Sequence, residues 1–187
     1  MENLKLTLMK KNLFTFISLL IINFSFGQKD EPFIVTGQVK LLGSWSTGQK
    51  TEMTFKSSAL DQFKMSAFQG GIGVSVVYKN TSENLGGLDI SNNGDNQSIK
   101  VYEYDFDNDG DKEIILVAGE GFSKINVRVM KISKGLVKLI GNFKPQYKIV
   151  VSKNFISFPY GGMGLSEEFY FSNDAFFSLQ YHDPNKQ

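Results

Sequence analysis

Acidic residues occupy every second position of the segment DFDNDGDKE, residues 105–113. They are Asp105, Asp107, Asp109, Asp111 and Glu113. Calcium in proteins takes about six to eight oxygen ligands, and alternate residues of a tightly curled turn can aim their carboxylates at one shared point. Gly110 permits the sharp bend, because glycine accepts backbone angles that a side chain would forbid. This spacing predicts a calcium-binding loop at 105–113.

Each loop position has an expected role in binding the cation. The carboxylates of Asp105, Asp107 and Asp109 are candidate ligands. The backbone carbonyl of Asp111 can supply a further oxygen, and Glu113 can close the site from the start of the next strand. The alternatives are an acidic turn that holds no cation and a site for another hard cation. Magnesium fits less well, because it requires stricter octahedral geometry.

Electrostatic repulsion favours a bound cation over an empty acidic turn. The segment 103–113 holds six acidic residues and one lysine. Like charges a few ångströms apart repel by about 1 kcal/mol per pair even in water. Holding them on one tight loop is therefore costly unless a cation offsets the repulsion. An extracellular loop of this kind is expected to bind calcium with a Kd of roughly 10⁻⁴–10⁻³ M.

The hydrophobic pattern of the rest of the chain has a period of two, which is typical of β-strands. The segment EIILVAG at 113–119 is continuously apolar after its first residue and predicts a central strand covered on both faces. The segment KINVRVMKI at 124–132 alternates and predicts a half-buried antiparallel strand. Further strands are expected at 32–42, 51–57, 62–69, 72–79, 98–105, 135–143, 146–152, 154–160, 166–171 and 175–181. Turn-forming residues separate these strands, which predicts a mainly β fold whose antiparallel sheets form a sandwich or a propeller-blade-like domain.

The N-terminus has the organisation of a secretory signal peptide. A basic start is followed by an apolar run at 13–24 and by small residues that end at Gly27. The run is too short to cross a bilayer core of about 30 Å as a helix. We expect cleavage after Gly27, so that 1–27 is a signal peptide and 28–187 is a single secreted or periplasmic domain. The alternative is an uncleaved anchor.

Composition argues against several classes of function. The chain has no cysteine, which excludes a lipid anchor at the cleavage site, disulfides, thiol catalysis and cysteine zinc sites. The formal net charge is +1 and the domain carries no basic cluster, so neither nucleic acid nor an anionic membrane surface is an expected partner. The single histidine, His182, lies in the C-terminal tail, so the sequence offers no other histidine as the base of a Ser/His nucleophile pair. We therefore expect that the protein is not an enzyme.

Two glycine-rich segments, 118–124 and 158–168, are candidate contact loops for a partner. Their tips contain Gly121, Phe122, Ser123, Tyr160 and Met163. The alternative is that both segments are plain hairpin turns. A polar stretch at 80–98 predicts one long connection, because connections beyond about 12–15 residues are uncommon in compact domains and are usually mobile or functional.

The strand–loop–strand arrangement differs from an EF-hand, which needs flanking helices and a bidentate Glu where this chain has Leu116. The pattern D-x-D-x-D-G-x-x-[DE]-hydrophobic, within 101–130, resembles FG-GAP and VCBS repeats. The resemblance implies side-chain calcium ligands at Asp105, Asp107, Asp109 and Glu113, with a backbone ligand at Asp111. Glu113 stands where that family typically has Asp. Only one copy of the motif is found, so we expect a lone β domain that bears a blade-like motif.

A second resemblance concerns the order of acidic loop, apolar strand, Gly/Ser loop and alternating strand. This order is similar to that of the periplasmic inhibitors of invertebrate-type lysozyme, and it implies that GEGFS at 119–123 would enter a lysozyme cleft. The segment lacks the Ser-Gly-x-Tyr character of that family.

The expected function is a binding or structural module of the cell envelope with one structural calcium ion. Its partner would be a protein or glycan of the envelope, and the alternative is an inhibitor of a secreted hydrolase such as lysozyme.

Overall fold

The computed structural model describes residues 34–46, 51–58, 62–67, 73–87, 98–119, 125–146, 148–160 and 165–179. The expected signal peptide at 1–27 and the tail that carries His182 lie outside these residues. The described residues contain no helix of the length and apolar character that a membrane crossing requires. The strands are β1 (Ile34–Thr36), β2 (Lys40–Ser46), β3 (Glu52–Lys56), β4 (Gln62–Ala67), β5 (Gly73–Tyr78), β6 (Thr81–Gly87), β7 (Ser98–Tyr104), β8 (Glu113–Gly119), β9 (Ile125–Ser133), β10 (Leu136–Phe143), β11 (Lys148–Ser152), β12 (Phe155–Tyr160), β13 (Leu165–Ser172) and β14 (Ala175–Ser178).

The strands of the described residues form three sheets. A five-stranded central sheet has the order β10-β9-β8-β7-β2. A second five-stranded sheet, here the C-terminal sheet, has the order β1-β11-β12-β13-β14, and a four-stranded hairpin sheet has the order β3-β4-β5-β6. Every pairing is antiparallel except that of β1 with β11, which is parallel. The predicted mainly β, antiparallel fold is therefore confirmed.

The central sheet is covered on both faces. Because neighbouring residues of a strand point to opposite faces, β8 places Ile114 and Leu116 in one apolar cluster and Ile115 and Val117 in another. The first cluster is shared with the hairpin sheet and the second with the C-terminal sheet. Every residue of β8 is buried, as its continuous apolar run predicted.

The prediction of a half-buried strand at 124–132 was wrong. Strand β9 is buried at every position except its last, Ser133. Ile125, Val127 and Val129 pack towards the C-terminal sheet, and Met130 and Ile132 on the opposite face pack against the hairpin sheet. Asn126 and Arg128 share that opposite face and are also buried. Arg128 Nε donates a hydrogen bond to the carbonyl of Leu85 in β6, 3.2 Å away. The alternation of polar and apolar residues ends at Met130, and it did not reveal that a second sheet covers the face that carries Asn126 and Arg128.

Two further expectations about local structure were corrected. The predicted long connection at 80–98 begins with a strand, β6, which pairs with β5 after a tight turn in which Lys79 has φ 52°. The predicted strand at 32–42 is two strands, β1 and β2, that belong to different sheets. Gly37 separates them with φ 120°, and a Cβ there would collide with the carbonyl oxygen of Val151.

Aromatic rings fill the space between the central and C-terminal sheets. They belong to Phe106, Phe143, Phe158, Phe171 and Phe176, and adjacent rings lie with centroids about 5 Å apart. Such pairs contribute about 0.5–1.5 kcal/mol each beyond the area they bury. The packing holds the β7–β8 loop, which carries Phe106, against the C-terminal sheet.

Candidate metal centre

The acidic segment is the hairpin loop between β7 and β8. The last residue of β7, Tyr104, pairs with the first of β8, Glu113, so the register of the central sheet sets the two ends of the loop side by side. The chain turns through Asn108, with φ 59°, and Gly110, with φ 94°. The amide of Gly110 donates to Asp105 Oδ2 at 3.2 Å, which closes the turn around the first acidic side chain.

Three of the predicted ligands come together in this loop. Asp105, Asp107 and Asp109 each offer a carboxylate oxygen, and these oxygens lie within 4.8 Å of one another. Two oxygens on opposite sides of a calcium ion are separated by about 5 Å, because each Ca–O distance is about 2.3–2.6 Å. The spacing therefore fits three ligands of one cation.

Two predicted positions fall outside this group of three. The side chain of Asp111 is exposed, and its amide donates to Asp109 Oδ1 at 2.8 Å. This arrangement is compatible with Asp111 contributing through its backbone, as the family resemblance implies. Glu113 lies at the start of β8 and is fully buried beneath the loop.

Glu113 is a buried carboxylate that is only partly satisfied. Its Oε2 accepts a hydrogen bond from the amide of Phe106 at 3.0 Å, whereas Oε1 is buried without a hydrogen-bond partner. Burial raises the pKa of Glu113 to about 7, and the negative charge of Asp107 adds to this effect. Asp105 Oδ1 is likewise buried and without a partner. An unsatisfied buried acceptor costs about 1–3 kcal/mol, so both oxygens are free to accept a further donor or a cation.

Lys131 is a member of the site that sequence reasoning missed. It lies on β9 directly opposite Glu113, and its Nζ is 3.0 Å from Asp109 Oδ2 and 2.8 Å from Asp174 Oδ1. Burial alone would lower the pKa of Lys131, but the hydrogen bonds to Asp174 and Asp109 and the charge of Glu113 hold that pKa above its ordinary value. A signal was present in the sequence, because Lys131 falls on the apolar face of an alternating strand.

A second lysine, Lys112, contacts the loop from within. Its Nζ lies 3.0 Å from Asp105 Oδ2. Lys112 and Lys131 are the ammonium groups paired with loop carboxylates among the described residues. Acidic groups outnumber them around the loop, so the negative charge is only partly neutralised by the protein itself.

Phe106 anchors the loop in the core. The side chain is fully buried, and its ring centroid lies 5.4 Å from that of Phe171 and 5.1 Å from that of Phe176. The carbonyl of Phe106 accepts a hydrogen bond from the amide of Asn154 at 2.8 Å, in the β11–β12 turn. The loop thus exposes Asp107, Asp109 and Asp111, while Phe106 ties it to the C-terminal sheet.

Glu103, just before the loop, links the central sheet to the hairpin sheet. It is 3% exposed and accepts hydrogen bonds from Lys40 Nζ at 2.8 Å and Ser57 Oγ at 2.6 Å. Burial alone would raise the pKa of Glu103, but hydrogen bonds from Lys40, Ser57 and Ser58 lower it to about 2. Glu103 also lines an open polar cavity of about 310 Å³, to which the loop contributes Asp105, Asn108 and Lys112.

Of the predicted partner-contact residues, Tyr160 falls within the described part of the chain. Gly121, Phe122, Ser123 and Met163 lie outside the described residues. Tyr160 ends β12, where its backbone pairs with Leu165. No protein-family model, curated protein or solved structure matches the chain, so the geometry of the site carries the functional argument.

Proposed function

We propose that this protein is a secreted or periplasmic β module of the cell envelope in which loop 105–113 binds one structural calcium ion. The supporting observation is the convergence of Asp105, Asp107 and Asp109 carboxylate oxygens within 4.8 Å, next to a buried Glu113 oxygen that lacks a hydrogen-bond partner. All of these donors are oxygens, which hard cations prefer. The adaptable geometry of calcium suits a curled, solvent-facing loop better than the strict octahedron of magnesium.

The structural role of the cation follows from the position of the loop. One side of the loop carries the aspartates, and the other carries Phe106 into the core shared with the C-terminal sheet. Repulsion among the aspartates opposes the closed turn, and a divalent cation removes this repulsion. A cation that binds only the folded protein stabilises it by mass action, adding about 2.7 kcal/mol at 100 times its Kd.

An aromatic row on the C-terminal sheet supports the binding role of the module. Phe155, Tyr170 and Phe177 are cross-strand neighbours on β12, β13 and β14, so their side chains share one face. The Phe155 and Tyr170 rings lie 5.1 Å apart, and Phe177 is 54% exposed. Such a row can stack on a sugar ring or on a side chain of an envelope protein. The alternative function, inhibition of a secreted hydrolase, depends on a contact segment at 119–123 of which only Gly119 is described, and it stays a prediction.

Thermal unfolding tests the calcium proposal. The Tm of the purified protein would be measured in EGTA, in millimolar calcium and in millimolar magnesium, for the wild type and for Asp107→Asn. Glu52→Gln is the matched control, since Glu52 is an exposed acid that pairs with Lys64 far from the loop in the sequence. We expect a rise of several degrees with calcium, lost in Asp107→Asn and kept in Glu52→Gln. An equal Tm in EGTA and calcium would refute the proposal.

Pull-down on cell-envelope material tests the binding role separately. The wild type would be compared with Phe177→Ser for retention on purified cell-wall glycan and on outer-surface protein fractions. We expect Phe177→Ser to lose retention while its Tm stays unchanged. Equal retention of both proteins would remove the aromatic row as a contact surface.

A further inference from the structure

Lys131 joins the acidic loop to a second, distant turn. Its side chain is 9% exposed and lies on the face of the central sheet that packs towards the C-terminal sheet. Nζ contacts Asp109 Oδ2 at 3.0 Å and Asp174 Oδ1 at 2.8 Å, and Glu113 Oε1 is 3.7 Å away. Asp174 belongs to the turn between β13 and β14, where its φ is 56°.

The ammonium of Lys131 and a divalent cation would share carboxylates. Asp109 belongs to the group of three oxygens that can hold a cation, and Glu113 lies beneath them. Two positive charges a few ångströms apart repel by about 1 kcal/mol in water, and the repulsion doubles when one ion is divalent. The repulsion is stronger here, because Lys131 is nearly buried and is screened less than an exposed charge. The ammonium and the cation therefore oppose each other at this site.

Asp174 gives the ammonium a partner that a bound cation would leave free. It lies outside loop 105–113, and its carboxylate is 47% exposed. When a cation takes Asp109, Lys131 retains its contact with Asp174 at the β13–β14 turn. The position of the ammonium between the two aspartates thus depends on the occupancy of the loop.

We propose that the ammonium of Lys131 competes with a divalent cation for the carboxylates of loop 105–113 and thereby sets the affinity of the loop for that cation. Through its contact with Asp174, Lys131 couples this affinity to the β13–β14 turn. The inference rests on the proposed calcium function. It makes the loop a weak site that is filled only where the free cation is abundant. It also makes Asp174 a residue that promotes binding without touching the cation, because it draws the ammonium away from Asp109.

Calcium titration of four proteins tests this inference, with heat release on calcium addition as the readout. In Lys131→Met we expect the Kd for calcium to fall by about tenfold or more, since a repelling charge is removed. Lys131→Arg keeps the charge and should bind as the wild type does. Lys64→Met is the matched control, because Lys64 forms an exposed pair with Glu52 in the hairpin sheet, and its Kd should not change.

Asp174→Asn supplies a second test that leaves Lys131 in place. We expect calcium binding to weaken in Asp174→Asn, because the ammonium then has only the loop carboxylates as partners. In the Lys131→Met background the same Asp174 change should have little effect, and this non-additivity separates coupling through Lys131 from the simple loss of a negative charge. Where Lys131→Met fails to fold, Lys131→Gln serves as the uncharged background for the same comparison.

The outcomes separate this inference from the function on which it rests. If the wild type binds calcium and Lys131→Met binds no more tightly, the competitor role is wrong and the calcium function stands. If only Lys131→Met binds, the competitor role is supported and calcium is not a ligand of the natural protein. If neither protein binds, both proposals are overturned.

Discussion

Glu113 and Lys131 lie directly opposite each other on β8 and β9, with Glu113 Oε1 3.7 Å from Lys131 Nζ. Both side chains are buried, at 0% and 9% exposure. The separation is longer than a hydrogen bond, and Lys131 instead donates to Asp109 and Asp174. Lys131 therefore forms its hydrogen bonds with other carboxylates, and the buried carboxyl of Glu113 receives none from it.

The pH dependence of stability should report the state of Glu113. Burial raises the pKa of this carboxyl from 4.5 to about 7, so the folded protein keeps a proton that the unfolded chain releases. In EGTA the free energy of unfolding should therefore fall as the pH rises from about 4.5 to about 7. Urea unfolding at several pH values measures this slope. Glu113→Gln should flatten it, and a slope that survives in the variant would assign it to another group.

Glu103 should produce the opposite slope at lower pH. Its folded pKa of about 2 lies below its ordinary value of 4.5, so its stabilising effect is complete above about pH 4.5 and is lost as the pH falls towards 2. The free energy of unfolding should decline through this window in the wild type. In Glu103→Gln it should be lower at pH 7 and flatter below pH 4.5. An unchanged acid profile in the variant would contradict the role of the hydrogen bonds to Glu103.

Asp107 and Asp111 should differ in their contribution to calcium binding. Asp107→Asn removes a charge from the group of three converging oxygens and should weaken calcium binding by about tenfold or more. Asp111→Asn removes an exposed charge outside this group, and its backbone carbonyl remains. Calorimetric titration should therefore show a much smaller loss for Asp111→Asn. Equal losses would mean that total charge, and not the converging geometry, determines affinity.

Phe106 should be the residue of the loop on which folding depends most. It is fully buried among aromatic rings, and replacing such a residue by alanine costs about 3–5 kcal/mol. Phe106→Ala should lower the free energy of unfolding by this amount in urea titrations. Phe177→Ala, at a ring that is 54% exposed, is the control and should change stability by no more than about 0.5 kcal/mol. A small effect at both positions would contradict the anchoring role of Phe106.

Local pattern was sufficient for the main architectural and loop features. The apolar run at 113–119 predicted a strand covered on both faces, and the structure buries each of its residues. The alternating acids and Gly110 predicted a curled loop, and Asp105, Asp107 and Asp109 do converge. These features are determined by neighbours in the sequence, because strand periodicity and turn chemistry depend on residues a few positions apart.

Only the tertiary structure decided which charges meet and which faces are covered. Lys131 is more than 20 residues from Asp109, and Asp174 is more than 40 from Lys131, yet one ammonium contacts both carboxylates. The face of β9 that carries Arg128 is buried because the hairpin sheet, built from β3 to β6, packs on Met130 and Ile132 of that face and accepts a hydrogen bond from Arg128. Alternation records the polarity of a face but not what lies against it, and the partner across a sheet depends on strand pairing between distant segments. The sequence by itself thus determined the loop and its acids. The fold determined that the ammonium of Lys131 lies beside them.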